Sequence, residues 1–190
     1  MTDKKENMRN LILYLFIISL CVGCSVFNGY KFSNDEFSAV FQSKPDIKSE
    51  SFDENGKPIL TFYETSTRKN SFLTHQHVSI DRLSTEECKL SSKEKIETII
   101  DFNRRKENSE EYFSLWKSFK LQNGVTKNVK YLDYSTLRKG KISKTFHKQI
   151  YLDNECSIYS IIVFGSSKDK VDDVFEQFSK SFALKRGKVQ

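Results

Sequence analysis

Apolar and polar side chains alternate along the first third of the chain. Phe37-Ser-Ala-Val-Phe41 puts Phe37, Ala39 and Phe41 on one side, the period-two signature of a half-buried strand. Tyr30 to Phe32 opens this series and Pro45 closes it. Ile47 to Phe52 forms a weaker strand. Glu54-Asn-Gly-Lys57 is a turn, because Asn-Gly accepts positive φ, and Ile59 to Tyr63 is its hairpin partner. Phe72 to Ile80 follows, with Phe72, Val78 and Ile80 on one face.

The period then changes. Ser91 and Ser92 offer helix caps, and Ile96, Ile99, Ile100 and Asn103 fall at i, i+3, i+4 and i+7. This helix fades in Arg104 to Asn108. Tyr112 to Leu121 contains the single tryptophan, Trp116, and fits neither period. Asn123-Gly124 is a second turn. Three strands come next: Val129 to Thr136, Ile142 to Leu152 and Cys156 to Phe164, separated by turns at Arg138-Lys-Gly140 and Asp153-Asn154. Ser157 to Phe164 is apolar on both faces, which predicts a strand in the middle of the sheet. Ser166 or Ser167 caps a last helix whose stripe is Val171, Val174, Phe175, Phe178 and Phe182. The order predicts an α+β fold over residues 30–184, a mainly antiparallel sheet flanked by helices, with a basic tail at 185–190.

The N-terminus has a different character. Residues 1–10 are polar and carry Lys4, Lys5 and Arg9, and the apolar run from Leu11 to Gly23 is 13 residues long. As a helix it would span about 20 Å, short of the roughly 30 Å hydrocarbon core. A basic start, a short apolar stretch and small residues before a cleavage point form an export signal over residues 1–23, beginning at Met1 or Met8. Leu20-Cys-Val-Gly-Cys24 resembles the lipobox of bacterial lipoproteins, although Cys21 stands where that family usually has Leu. The resemblance implies diacylglycerol attachment at Cys24, cleavage before it and a tether over 24–29. More than one acyl chain is needed for firm anchoring. An uncleaved membrane helix extending to Phe27 is the other reading. Ser25 after the cysteine, by the same resemblance, favours the periplasmic side of an outer membrane in a host with two membranes. Either way the domain is expected in the cell envelope, exported from the cytoplasm.

Processing would remove Cys21 and consume Cys24, leaving Cys88 and Cys156. In an oxidising compartment these two are expected to form a disulfide, the alternative being two buried thiols. The 31 Lys and Arg against 25 Asp and Glu give a net charge of +6, spread rather than clustered, so no nucleic-acid partner is expected. Sixteen Phe with only two Pro and seven Gly argue for a packed domain.

Phe37-Ser-Ala-Val-Phe41 before Ser43-Lys-Pro45, the meander ending at Phe164, and the closing Val174-Phe-Glu-Gln-Phe-Ser-Lys-Ser-Phe182 together resemble the PsbP-like α/β/α sandwich. Small bacterial lipoproteins of the DcrB and LpqN types share it. Gln42 replaces the first proline of that family's Phe-Pro-x-x-Pro motif. The resemblance implies a non-enzymatic module that binds or stabilises an envelope protein partner, and it transfers no functional residue.

Candidate chemistry is sparse. His75 and His77 share one face of a strand and could contribute to a metal site, but they read better as a polar outer face, so no metal and no cofactor are expected. No Gly-x-Ser-x-Gly elbow and no glycine-rich phosphate loop occur, so no catalytic residues are assigned. Trp116, Tyr112 and Phe113 could line an aromatic cleft for a small molecule. Arg138, Lys139, Lys141, Lys144 and Lys148 concentrate positive charge on one hairpin. They read as protection of an edge strand, with a contact surface for anionic headgroups or an acidic partner as the alternative.

Overall fold

A computed structural model describes residues 29–69, 71–104, 109–137 and 143–185, except the side chains of 102–104 and 109–112. The expected export signal, Cys24, most of the expected tether, the Arg138-Lys-Gly140 turn with Lys141, and the tail from residue 186 lie outside the described residues. The described strands are β1 (Tyr30–Ser33), β2 (Phe37–Phe41), β3 (Asp46–Phe52), β4 (Pro58–Lys69), β5 (Phe72–Arg82), β6 (Ser109–Lys120), β7 (Thr126–Leu137), β8 (Lys144–Asn154), β9 (Ser157–Gly165) and β10 (Ala183–Leu184). A 3₁₀ turn (Glu87–Lys89) and helix α1 (Ser92–Arg104) separate β5 from β6. Helix α2 (Lys168–Ser181) separates β9 from β10.

Two antiparallel meanders, β3-β4-β5 and β6-β7-β8-β9, join through an antiparallel β5:β9 ladder. The resulting seven-stranded sheet has the order β3-β4-β5-β9-β8-β7-β6. This is a mixed α+β fold, mostly β. The apolar strand β9 sits at its centre, as its sequence predicts. Gly165 ends β9 tight against β5: a Cβ there would lie 2.5 Å from the Leu73 carbonyl oxygen, which backbone cannot yield cheaply.

The alternation of strand residues sorts the core into two clusters on opposite faces. On the first face, Val78, Ile80, Val129, Ile150, Leu152, Ile161 and Val163 pack against Val171, Val174, Phe175 and Phe178 of α2. The three-stranded sheet β1-β2-β10 closes the same layer, with Phe37 stacked on Phe182 at 5.4 Å and Phe41 against Phe178 at 4.9 Å. Phe37, Phe41, Phe178 and Phe182 are each fully buried, worth roughly 1.5–3 kcal/mol apiece in transfer energy. On the second face, Ile96 and Ile100 of α1 cover Leu132, Tyr134, Tyr151 and Ile158.

Local signals account for the helix ends. Ser91 and Glu94 form a capping box: the Glu94 amide donates to Ser91 Oγ at 3.3 Å, and the Ser91 amide donates to Glu94 Oε2 at 2.9 Å. The turn glycines Gly56 and Gly124 adopt φ of 74° and 84°.

Three expectations need correction. Residues 109–120, ambiguous by period, form strand β6. Ser167 occupies the α2 N-cap but its hydroxyl makes no cap bond, while Ser166 Oγ accepts from the Leu73 amide at 3.4 Å across the β5–β9 end. The lysine-bearing strand β8 is not an edge: β7 and β9 flank it on both sides, so its lysines do not protect an open ladder.

Candidate functional site

Helix α1 begins beside the β8–β9 turn, and several groups fasten it there. Cys88, in the 3₁₀ turn, and Cys156, in the β8–β9 turn, come within disulfide reach with Cα atoms 5.0 Å apart. The Leu83 amide donates to the Cys156 carbonyl at 2.9 Å. Ser92 Oγ donates to Asp153 Oδ2 at 2.5 Å, and the buried Lys95 ammonium reaches the same oxygen at 3.4 Å and the Glu155 carbonyl at 3.3 Å. Charge-assisted bonds of this kind are stronger where water is excluded.

Next to this junction opens a cleft of about 460 Å³, lined by Ser91, Ser92, Lys93, Trp116, Lys127, Asn128, Asp153 and Glu155. The Lys130 ammonium sits 5.4 Å from the Trp116 ring and pairs with Glu97 at 3.1 Å. Lys127 Nζ donates to Asn154 Oδ1 at 3.2 Å. Of the three aromatic residues expected in one cleft, only Trp116 lines it. Phe113 has odd parity on β6 and projects from the opposite face, 56% exposed and edge-on to Tyr131 at 6.5 Å. The side chain of Tyr112 lies outside the described residues.

The histidines do not form a solvated outer face. His75 stacks on Phe164 at 4.4 Å, His147 stacks on the same ring at 5.5 Å, and Tyr134 stacks on His147 at 4.5 Å. Four rings thus run across β5, β9, β8 and β7 on the second face, because cross-strand register places 75, 164, 147 and 134 opposite one another. His77 packs edge-on to Phe62 at 4.9 Å. Burial pushes both His77 and His147 down to about 4, and it lowers His75 against the pull of Glu64. These imidazoles are neutral at pH 7 and serve as aromatic surface. His75 Nδ1 meets Ser66 Oγ at 2.6 Å, and His77 Nε2 is buried with no hydrogen-bond partner among the described residues. Among the described residues no group of three His, Cys, Asp or Glu could hold a metal ion. On the same face Asp81 lies in register with Leu60 and Ile158, and burial raises its carboxyl to about 6. No sequence pattern marked Asp81 or the ring row, since both depend on the β5:β9 pairing.

Lys148 lies on the first face between Asp172 of α2 at 2.7 Å and Asp133 of β7 at 3.5 Å. Burial works against its charge, but the bond to Asp172 and the nearby acidic groups prevail and its pKa is raised. Its role is to join α2 to the sheet. Arg138, Lys139 and Lys141 lie outside the described residues. Among the described strands, the edges of the large sheet are β3 and β6. Every residue of β3 is exposed, with Ile47 at 58% and Phe52 at 57%.

No helix among the described residues is long and apolar enough to cross a membrane. Comparison with known proteins adds little. No family model matches this chain, and no curated protein matches it. Among solved structures, the chain is similar to a crystal structure of Protein of Unknown Function PA94 from Pseudomonas aeruginosa. That likeness has 10% identity over 58% of this chain and 87% of the other, with a TM-score of 0.33.

Proposed function

We propose that this chain is an exported, lipid-anchored accessory protein of the cell envelope, attached through Cys24, that binds a protein partner through the second face of its sheet. The carrying observation is the incomplete cover on that face. Helix α1 packs on the β7–β9 side, through Leu132, Tyr134, Tyr151 and Ile158. Toward β4 and β5 the apolar and imidazole surface of Phe62, His75, Ile162 and Phe164 stays half-buried. Apolar sheet surface of this kind suits protein contact. The disulfide reach of Cys88 and Cys156 supports an oxidising compartment, and the basic-apolar-small leader supports export. Helices on opposite faces of an antiparallel sheet support the PsbP-like α/β/α reading. A small-molecule role is the second reading, favoured by the Trp116 cleft.

A photocrosslinking residue at Phe62, introduced in the full chain and activated in intact envelopes, tests the binding role. One discrete adduct with a different polypeptide is expected. A lack of any adduct, or a diffuse smear equal to that from an exposed turn position such as Asn55, would contradict it.

A further inference from the structure

Among the described residues, edge strand β3 has one neighbour, β4, and offers its other side to solvent along all seven residues. An unpaired edge is a template for another strand, and natural edges are usually blunted by charge. The charges on β3 are arranged differently. Asp46, Lys48 and Glu50 share one face in the order minus, plus, minus, and Lys48 is hydrogen-bonded to Glu64 of β4 in the same chain. The opposite face carries Ile47, Ser49 and Ser51.

We propose that β3 pairs antiparallel with β3 of a second copy of this chain, with the two-fold axis at Ser49. In that register Lys48 lies opposite Glu50 of the second copy and Glu50 opposite its Lys48, while Ser49 meets Ser49. Other symmetric registers are poorer. An axis at Lys48 sets Lys48 against Lys48 and Asp46 against Glu50, all like charges. An axis at Glu50 sets Glu50 against Glu50. An axis at Ile47 keeps complementary charges but leaves only Asp46–Lys48 paired within the strand. Opposite charges directly across a ladder are favourable and like charges unfavourable, so charge excludes the Lys48 and Glu50 axes, and the longer overlap of the two strands selects Ser49 over Ile47. On the other face Ile47 comes opposite the small Ser51, with the exposed Ile59 beyond it on β4 of the second copy. The positive φ of Ser51, 57°, disturbs the strand end and confines the tightest pairing to Lys48–Glu50.

Symmetry adds a consequence that rests on the anchoring proposed above. A two-fold axis perpendicular to the sheet preserves its faces. Strand β1, which follows the tether, packs with the first-face layer through Phe32. Both tethers therefore leave the same side of the joined sheet and can enter one membrane.

The experiment uses the full chain carrying two different tags, co-expressed and extracted in detergent. Ser49→Cys should give a disulfide-linked dimer, because residues directly opposite in an antiparallel pair have Cβ atoms about 4.5–5.5 Å apart. Asn55→Cys, in the turn, should not. Lys48→Glu alone and Glu50→Lys alone should each reduce co-purification of the two tags by about tenfold or more. Mixing a Lys48→Glu chain with a Glu50→Lys chain should restore it, since all facing pairs are then opposite in charge. The proposal is overturned if Ser49→Cys crosslinks no more than Asn55→Cys, or if the mixture associates no better than either variant alone. Rescue by mixing also separates lost pairing from misfolding. A dimer that forms without lipid on Cys24 keeps the pairing and removes only the shared-membrane consequence.

Discussion

Reduction of the Cys88–Cys156 pair should destabilise the domain by an amount set mainly by chain length. The two cysteines are 68 residues apart, and the segment between them includes α1, β6, β7 and β8. Closing a loop of that size removes unfolded-state entropy worth about 4 kcal/mol on the chain-entropy model. Native contacts at the junction should survive, because the Lys95–Asp153 pair, the Ser92–Asp153 bond and the Leu83–Cys156 backbone bond do not involve sulfur. The loss is thus expected to appear as easier unfolding rather than a displaced helix. For a domain of this size it corresponds to a fall in Tm of roughly 8–16 °C. Urea unfolding followed through the fluorescence of Trp116, which lines the cleft beside this junction, measures it directly. The oxidised chain is compared with a Cys88→Ser/Cys156→Ser double variant, which avoids leaving one free thiol. Equal midpoints and slopes for the two, within about 1 kcal/mol, would refute the reasoning.

Acid should destabilise the fold through its histidines. His77 and His147 have folded values near 4 against an ordinary 6.5, so the unfolded chain binds protons first, and up to about 3 kcal/mol per histidine is lost between pH 6.5 and 4. Asp81 acts in the opposite sense: its folded value near 6 lies above the ordinary 3.8, so its contribution is full below pH 3.8 and lost as pH rises through 6. Asp81→Asn should therefore stabilise the protein at pH 7 by up to about 3 kcal/mol and change little at pH 3.5, and equal effects at both pH values would contradict this. Lys148→Met should cost about 1–2 kcal/mol, between an exposed and a fully buried pair, and raise the pKa of Asp172; carboxyl NMR titration with unfolding curves checks both, and an unshifted Asp172 counts against the α2-to-sheet role.

Much of the fold is legible locally. Strand β2 shows Phe37, Ala39 and Phe41 at alternate positions, and these are the buried ones. The stripe of α2 consists of Val171, Val174, Phe175 and Phe178, all buried. Strand β6 was illegible by period because Trp116 serves one face while Phe113, Leu115 and Phe119 serve the other. Trp116 interrupts the otherwise polar set Ser114, Ser118 and Lys120, and Lys117 interrupts the apolar one, so the contrast between the two sets is blurred. Strand order is a longer-range property. The lysine spacing within β8 does not say how many neighbours the strand has; pairing with both β7 and β9 makes it interior, although Lys144 and Lys148 read as edge residues. The β5:β9 pairing across more than eighty residues assembles the row His75, Phe164, His147 and Tyr134, which neither the His75-x-His77 spacing nor any single motif indicates. Asp81 is one acidic residue at a strand end by sequence, and only its burial beside Ile158 makes its carboxyl unusual.

Growth with labelled palmitate, followed by membrane fractionation of the full chain and of Cys24→Ser, bears most directly on the proposed anchoring and export. Label on the wild-type chain in the membrane fraction, and none on Cys24→Ser, is the predicted result. An unlabelled wild-type chain recovered with cytosolic proteins would contradict the account.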